Sequence, residues 1–287
     1  DRILGNVQLG YKPVKWIDIS LRVGTDVSGD KRKQIESKRV IDPNSQNAAR
    51  SYPGHYSETG INIREFTSDL IATGKKNLAP NLSLSVLVGH NIRQRNVDIQ
   101  FSEINSLTIP FYYNLANSAQ PPRTTNFNSI RRLYGVYSDI NLSYKNYLFL
   151  GVTGRNDWSS TLPKGKNNFF YPSVNASFVF SEAFMMPEFI SYGKIRASAA
   201  QVGNDAAPYL LESVFISGTV NDGQQNSQIN FPFNGVPGFT QGNIIGNPEI
   251  KPEITSSVEV GLEFELLKNR ITFEGTVYSN RSRDQII

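Results

Sequence analysis

Few residues of this 287-residue chain are of a kind that does covalent chemistry. It has no Cys, so thiol reactions, disulfides and Cys-based zinc sites are excluded. It has two His, His55 and His90, and no metal-ligand spacing surrounds either. Gly74-Lys75-Lys76-Asn77 has the Gly-Lys of a phosphate loop but lacks the earlier glycine and the following Ser or Thr. It reads as a turn. No G-x-S-x-G elbow occurs. Glu259, Glu263, Glu265 and Glu274 gather on one face of a hairpin. Paired carboxylates are the apparatus of glycoside hydrolysis. They are also what a water-facing wall carries, and Lys194 and Arg196 on the preceding strand offset their charge. We take the wall reading and expect no catalytic residue, cofactor or metal ligand.

Binding is better supplied. Phe111, Tyr112 and Tyr113, then Trp158, then Phe231 and Phe233 fall in long polar stretches amid Asn and Gln. Aromatic faces with nearby amides are how proteins hold sugar rings and peptide side chains. These six are the candidate ligand-binding residues. The alternative is that they pack the loops against one another. Phe239, between Gly238 and Thr240, suits an anchor equally well.

The elements that position these residues are strands. Apolar residues alternate with polar ones at Ile17–Val23, Leu82–Gly89, Tyr134–Tyr144, Val174–Phe180, Ile195–Ala199, Val258–Phe264 and Ile271–Val277. A weaker strand covers 61–72, and 147–155 starts apolar on both faces. Only 182–189 has room for a helical turn. No apolar run approaches the ~18 residues of a membrane helix. Charged residues are 19%, below the ~25% usual in soluble domains. The net charge of +4 is mild and the basic residues are scattered. The one run, Lys31, Arg32, Lys33, Lys38 and Arg39, reads as a solvated loop, and no nucleic-acid partner is expected.

Connections alternate in length. A long one follows Val27, a short one spans 74–80, a long one spans 96–129 and Lys145-Asn146 is tight. A very long Asn-, Gly-, Gln- and Pro-rich stretch spans 203–252, and Lys268-Asn269 is tight again. An up-and-down sheet with all its long loops at one end produces this, as membrane barrels do. A sandwich mixes its loop lengths more freely. A two-residue loop at Lys268-Asn269 pairs Leu266 with Ile271, Phe264 with Phe273 and Val260 with Val277. A one-residue slip would mix the faces. At ~3.3 Å per residue, Tyr134–Tyr144 runs about 33 Å, or roughly 25 Å of height at a tilt near ~40°. That is the height of a membrane barrel's apolar band, with a Tyr at each edge.

An ordered set of motifs then resembles a known family. It comprises Leu133-Tyr134-Gly135-Val136-Tyr137, Phe149-Leu150-Gly151-Val152-Thr153-Gly154-Arg155-Asn156-Asp157 and Phe169-Phe170-Tyr171-Pro172-Ser173-Val174. Phe178-Val179-Phe180-Ser181-Glu182, Ile190-Ser191-Tyr192-Gly193-Lys194-Ile195-Arg196 and Gln201-Val202-Gly203-Asn204 follow. The set closes with Asn247-Pro248-Glu249-Ile250-Lys251-Pro252-Glu253, Glu259-Val260-Gly261-Leu262 and Asn269-Arg270-Ile271. In this order they resemble the middle and later barrel strands of the SusC/RagA-type TonB-dependent transporters of Bacteroidota.

The resemblance implies an all-β, antiparallel, up-and-down transmembrane β-barrel segment with long extracellular loops. About nine or ten strands fit here, part of a larger barrel of about 22 strands. It implies the cell outer membrane and import rather than catalysis. It implies glycan or peptide substrates, a SusD-like surface lipoprotein as partner, and energy from TonB. Residues 1–287 are expected to be a partial TonB-dependent receptor barrel domain. The plug domain, the TonB-contacting segment and the closing strands are not within them, and an open sheet in lipid leaves unpaired edges. The alternatives from other classes are a soluble all-β carbohydrate-binding domain and a β-rich glycoside hydrolase.

Overall fold

A computed structural model describes residues 1–39, 52–217, 219–221, 228–231, 233 and 235–286. In chain order the elements are β1 (Arg2–Val14), β2 (Ile17–Glu36), β3 (His55–Ala79), β4 (Leu82–Ile104), β5 (Arg123–Tyr144), β6 (Leu148–Ser159) and β7 (Asn168–Val179). They continue with α1 (Phe180–Ala183), β8 (Ile190–Asn204), β9 (Phe215–Ser217), β10 (Thr219–Asn221), β11 (Gln228–Asn230), β12 (Phe239–Gln241), β13 (Glu253–Leu266) and β14 (Ile271–Arg283). Ten strands form one sheet in the order β1-β2-β3-β4-β5-β6-β7-β8-β13-β14. Each strand lies beside the next long one in sequence, which is the up-and-down topology expected. The pairs β9–β12 and β10–β11 are small separate ribbons. No helix is long and apolar enough to cross a membrane, which says nothing of strands.

Contacts group the chain into two compact units. One comprises Asp1–Leu9, Arg22–Ser68 and Ile92–Arg131. In it, ion pairs link neighbouring strands: Arg2 with Asp26, Lys33 with Glu58, Arg64 with Asp98, Arg93 with Glu65 and Arg123 with Glu103. Its buried core is small and sits at the roots of its loops. Tyr56, Ile104 and Leu107 are buried together, with Tyr113 and Leu115 against them. Gly54 serves this cluster. It has φ +86°, and a Cβ there would lie 2.7 Å from Leu107 Cδ1.

The other unit comprises Gly10–Leu21, Asp69–Asn91 and Arg132–Ile287. Its short connections are stitched into one rim by backbone bonds. Lys75 N–H donates to Trp16 C=O, Lys145 to Asn81, Val179 to Tyr147 and Leu267 to Phe189. Rings line that rim: Tyr144 against Tyr147, Tyr147 against Phe178 and Phe178 against Phe184, all edge-on. Its buried cluster is again at loop roots, made of Leu162, Phe169, Ala206 and Ile250.

The last hairpin has the expected register, with Leu266 opposite Ile271, Phe264 opposite Phe273 and Val260 opposite Val277. Its turn is longer than two residues. Leu267, Lys268 and Asn269 all have positive φ, and Arg270 N–H bonds back to Leu266 C=O at 3.0 Å. Other expectations need correction. β1 carries no expected strand, because Gly5 and Gly10 interrupt its alternation. Lys31, Arg32 and Lys33 lie in β2, not in a loop, and Lys38 donates to the Leu107 carbonyl at 2.8 Å. Gly74–Asn77 belongs to β3, and the turn falls at Pro80 and Asn81. His90 lies well inside β4.

Candidate functional site: the polar face and the loop roots

Alternation in the second unit sorts side chains onto two faces. On one, Ile140 pairs with Val152, Val152 with Val174, Val174 with Ala199, Ala199 with Val258, and Ala197 with Val260. Among the described residues nothing covers this face. Val260 is 49% and Val277 78% exposed. At one margin Tyr134 lies 5.4 Å from Trp158 and 6.0 Å from His90. Such a continuous apolar wall would be an aggregation liability in water. Between aromatic belts it is the wall that a membrane barrel turns to lipid.

The opposite face carries rows of polar residues. One runs Asn141, Gly151, Asn175, Ser198, Glu259. The next runs Ser177, Arg196, Gly261, Thr276, and another Lys194, Glu263, Glu274. Arg196 Nη2 donates to Glu274 Oε1 and Thr276 Oγ1, both at 2.9 Å, and its Nε lies 3.8 Å from Glu259. Lys194 Nζ is 3.5 Å from Glu263. A Cβ on Gly261 would lie 2.5 Å from Arg196 Nε, so the glycine is the seat of the guanidinium. Glu259, Glu263 and Glu274 are therefore engaged by cations across the strands. A cavity of about 240 Å³ opens here, lined by Asn175, Ser177, Lys194, Arg196, Ser198 and Glu259. Its lining donates and accepts hydrogen bonds and offers both charges, which suits a polar, water-soluble solute.

A second polar belt crosses β5, β6 and β7. Tyr137, Arg155 and Tyr171 are paired in register. The Arg155 guanidinium lies 5.3 Å from the Tyr137 ring centroid and bonds Asp157 through Nε at 3.1 Å. Its Nη2 is 2.8 Å from Asp157 Oδ1, and the Tyr171 hydroxyl donates to Asp157 Oδ2. Two glycines make room. A Cβ on Gly135 would lie 2.3 Å from Asp157 Oδ1, and one on Gly89 would lie 2.6 Å from Tyr137 Cζ. Sequence reasoning passed over this belt. The signal was there: Tyr137, Arg155, Asp157 and Tyr171 all fall on the polar register.

Loop roots in the same unit are fixed by buried polar groups. The Ser159 hydroxyl donates to Asp205 Oδ2, and Thr161 Oγ1 donates to the same oxygen at 3.0 Å. From this root springs the connection bearing Phe231 and Phe233. The Phe231 ring lies against Gly238, where a Cβ would sit 2.3 Å from Cδ1. Phe233 is exposed and its backbone bridges to Val236. Trp158 departs from expectation. It sits in β6, not in a loop, on the apolar face beside Tyr134. In the first unit, Phe111 and Tyr112 are exposed at a loop tip. Tyr113 turns inward, its hydroxyl 2.7 Å from Ser37 Oγ and its ring 6.4 Å from Tyr56. Nearby, outside the strands, the Tyr52 hydroxyl donates to Glu36. That bond, and burial to a lesser degree, holds the phenol above its ordinary value.

Among the described residues no three His, Asp or Glu gather closely enough to hold a metal ion. His55 Nδ1 pairs instead with Asn105 Oδ1 at 2.8 Å.

Two-faced strands, short turns on one rim and long loops define the wall of a membrane β-barrel. Residues 5–287 match the family model described as TonB dependent receptor-like, beta-barrel, and the chain belongs to that family. This is an outer-membrane family of receptors and transporters, not of enzymes, so the hydrolase and soluble-domain readings are set aside. TonB-dependent receptor P26 of Formosa agariphila is 25% identical over 298 residues, covering 100% of this chain and 28% of that protein. The chain thus spans less than a third of the curated relative. Among solved structures, the RagAB peptide transporter matches with a TM-score of 0.79 at 15% identity, covering 100% of this chain and 31% of that one. The siderophore receptor PiuA of Acinetobacter baumannii matches with a TM-score of 0.54 at 14% identity, covering 96% and 39%. These likenesses show a shared fold.

Proposed function

We propose that this chain is a wall section of a SusC/RagA-type importer, one that takes up oligosaccharides or peptides through the outer membrane with energy from TonB. The strands that pair with the free edges of β1 and β14, the plug and the TonB-contacting segment belong to chain outside these 287 residues. A SusD-like surface lipoprotein closes over the long loops. The observation that carries this reading is the fold match over the whole chain, which is closer to the RagAB peptide transporter than to PiuA. The polar face supports it. Its amides, hydroxyls and balanced charges suit solutes that are rich in hydrogen-bonding groups. We assign first contact with the solute to the Arg155–Asp157 belt and the Arg196 cluster, and further contact to Phe231 and Phe233.

Uptake decides the matter. Cells carrying the full-length protein would be given a labelled peptide pool and a labelled oligosaccharide pool, with and without TonB. TonB-dependent uptake of one pool is expected. Uptake indifferent to TonB, or entry of ferric siderophores and of neither pool, would contradict the assignment.

A further inference from the structure

The short connections of the second unit carry cations where turn geometry does not call for them. Lys145 has φ +47° and Lys268 φ +56°. Hairpin turns with positive φ favour Gly, Asn or Asp, which reach that conformation at little cost. Lysine brings no backbone advantage to such a position; what it brings is charge. The rest of the rim repeats the pattern. Lys15 stands in the turn between β1 and β2, Lys75 N–H bonds to Trp16 C=O, Lys76 follows it, and Arg270 closes the last turn. All six cations are exposed, and among the described residues none has an ion-pair partner. The connections themselves hold two carboxylates, Glu182 and Glu188. Asp18, on β2, is paired with Lys12 at 3.1 Å, and Glu265 lies on the polar face of β13.

Between the Lys145 and Lys268 turns, the connection from β7 to β8 presents apolar side chains. Met185 is wholly exposed, and Phe184 and Phe189 are more than half exposed. Val179 N–H bonds to Tyr147 C=O at 2.7 Å and Leu267 N–H to Phe189 C=O at 2.8 Å, so the three connections lie side by side. Phe184 packs edge-on against Phe178, 5.9 Å between centroids. Phe178 is paired with Leu148 and Ile195 on the apolar face. The connection thus continues the lipid-facing wall past the end of the sheet. Tyr144 is paired with Leu148 on the same face, and Lys145 Nζ lies 5.4 Å from its ring centroid. Apolar side chains that continue a lipid-facing wall, flanked by unpaired lysines, match a membrane interface. The apolar groups enter the acyl boundary and the ammonium groups meet the headgroups.

We propose that this rim is a seat for anionic phospholipid, in which Lys145 and Lys268 hold the net negative headgroups while Phe184 and Met185 enter the acyl boundary between them. The other four cations extend the belt. Short turns of membrane barrels face the periplasm, so the lipid belongs to the inner-facing leaflet. This rests on the membrane-barrel reading above.

The test places a fluorescent label on Met185→Cys in the full-length protein, with any cysteine outside these residues replaced. The protein is reconstituted in phosphatidylcholine vesicles. Part of the lipid is exchanged for brominated phosphatidylglycerol or brominated phosphatidylcholine, and quenching gives the relative affinity of the two lipids at the foot. Phosphatidylglycerol should be preferred by about threefold to tenfold at low salt. High salt should shrink the preference, because the lysines are exposed. Lys145→Gln combined with Lys268→Gln should bring it to within about twofold of parity. Resistance of the folded barrel to denaturation by detergent on a gel reports that the variant is folded. Equal affinity for both lipids in the protein with its lysines intact overturns the proposal. So does a preference that survives the double substitution, or a label that neither lipid quenches. Flotation with the vesicles is the separate check. Protein that does not float refutes the barrel reading and the seat with it, whereas floating protein without a lipid preference refutes the seat alone.

Discussion

Both units carry ion pairs between neighbouring strands, but their strand sections present different faces. In the first, charged side chains reach across neighbouring strands: Lys33 to Glu58, Arg93 to Glu65 through two bonds of 2.9 and 2.8 Å, and Arg123 to Glu103. In the second, strands from β5 to β14 are apolar on one face and polar on the other, and among the described residues nothing covers the apolar face. Backbone ladders hold both. What differs is the solvent that each face is built to meet. Sections with charges on both faces suit water on both sides. Sections with one apolar face suit lipid on one side. Both units bury their few core residues at loop roots, where the chain leaves the sheet and needs protein packing to fix it.

The largest effects should come from those roots. Leu107→Ala in the first unit should cost about 2–5 kcal/mol, because a fully buried leucine leaves a cavity that a Gly54-backed cluster cannot collapse. Urea titration of the full-length protein, with protease cleavage within 105–122 as the local readout, would measure it. If the loss were instead near zero, the roots would not be true cores. Val260→Arg puts a charge on the apolar face of the second unit and should cost about 2–4 kcal/mol in vesicles. The same residue at Glu263 on the polar face should be tolerated, and equal costs at both positions would break the contrast between faces.

Gly135→Ala should cost about 1–3 kcal/mol, since its Cβ would meet Asp157 Oδ1 at 2.3 Å and displace the Arg155 pair. Reduced solute uptake with the barrel still folded would tie the belt to transport. The smallest effect belongs to the first unit's ion pairs. Glu65→Gln should cost less than about 1 kcal/mol and less still in high salt, because exposed pairs are screened. A larger, salt-insensitive loss would mean that these strands rely on charge more than the comparison allows.

What the sequence made legible follows the same division. Strands with one apolar face announced themselves by alternation, and the β13–β14 register could be read residue by residue because a slip would mix Val260 and Phe264 with Glu259 and Glu263. The extension of β2 to Glu36 and of β3 to both sides of 61–72 was illegible. With water on both faces no period of two is required, and Lys31, Arg32 and Lys33 look like any solvated run. The site was legible in part. The Glu259, Glu263 and Glu274 wall and its Lys194 and Arg196 partners came from register alone. Trp158 was misplaced because a tryptophan near a strand's end looks like one in the following loop. The Arg155–Asp157 belt was legible only as four residues sharing the polar register, and its glycine seats, Gly135 and Gly89, show only when the neighbouring strand is in place.

The central claim is that the even-numbered side chains of β13 between Val258 and Glu265 face lipid and the odd-numbered ones face water. These 287 residues contain no Cys, so a single one can be introduced at each position from Val258 to Glu265 in the full-length protein. Spin labels there, with the full-length protein in vesicles, report collision with oxygen, which concentrates in lipid, and with a water-soluble nickel chelate. Oxygen contact should peak at Val258, Val260, Leu262 and Phe264, and nickel contact at Glu259, Gly261, Glu263 and Glu265, out of phase with a period of two. Equal access to both quenchers along the strand, or the opposite phase, would contradict the account.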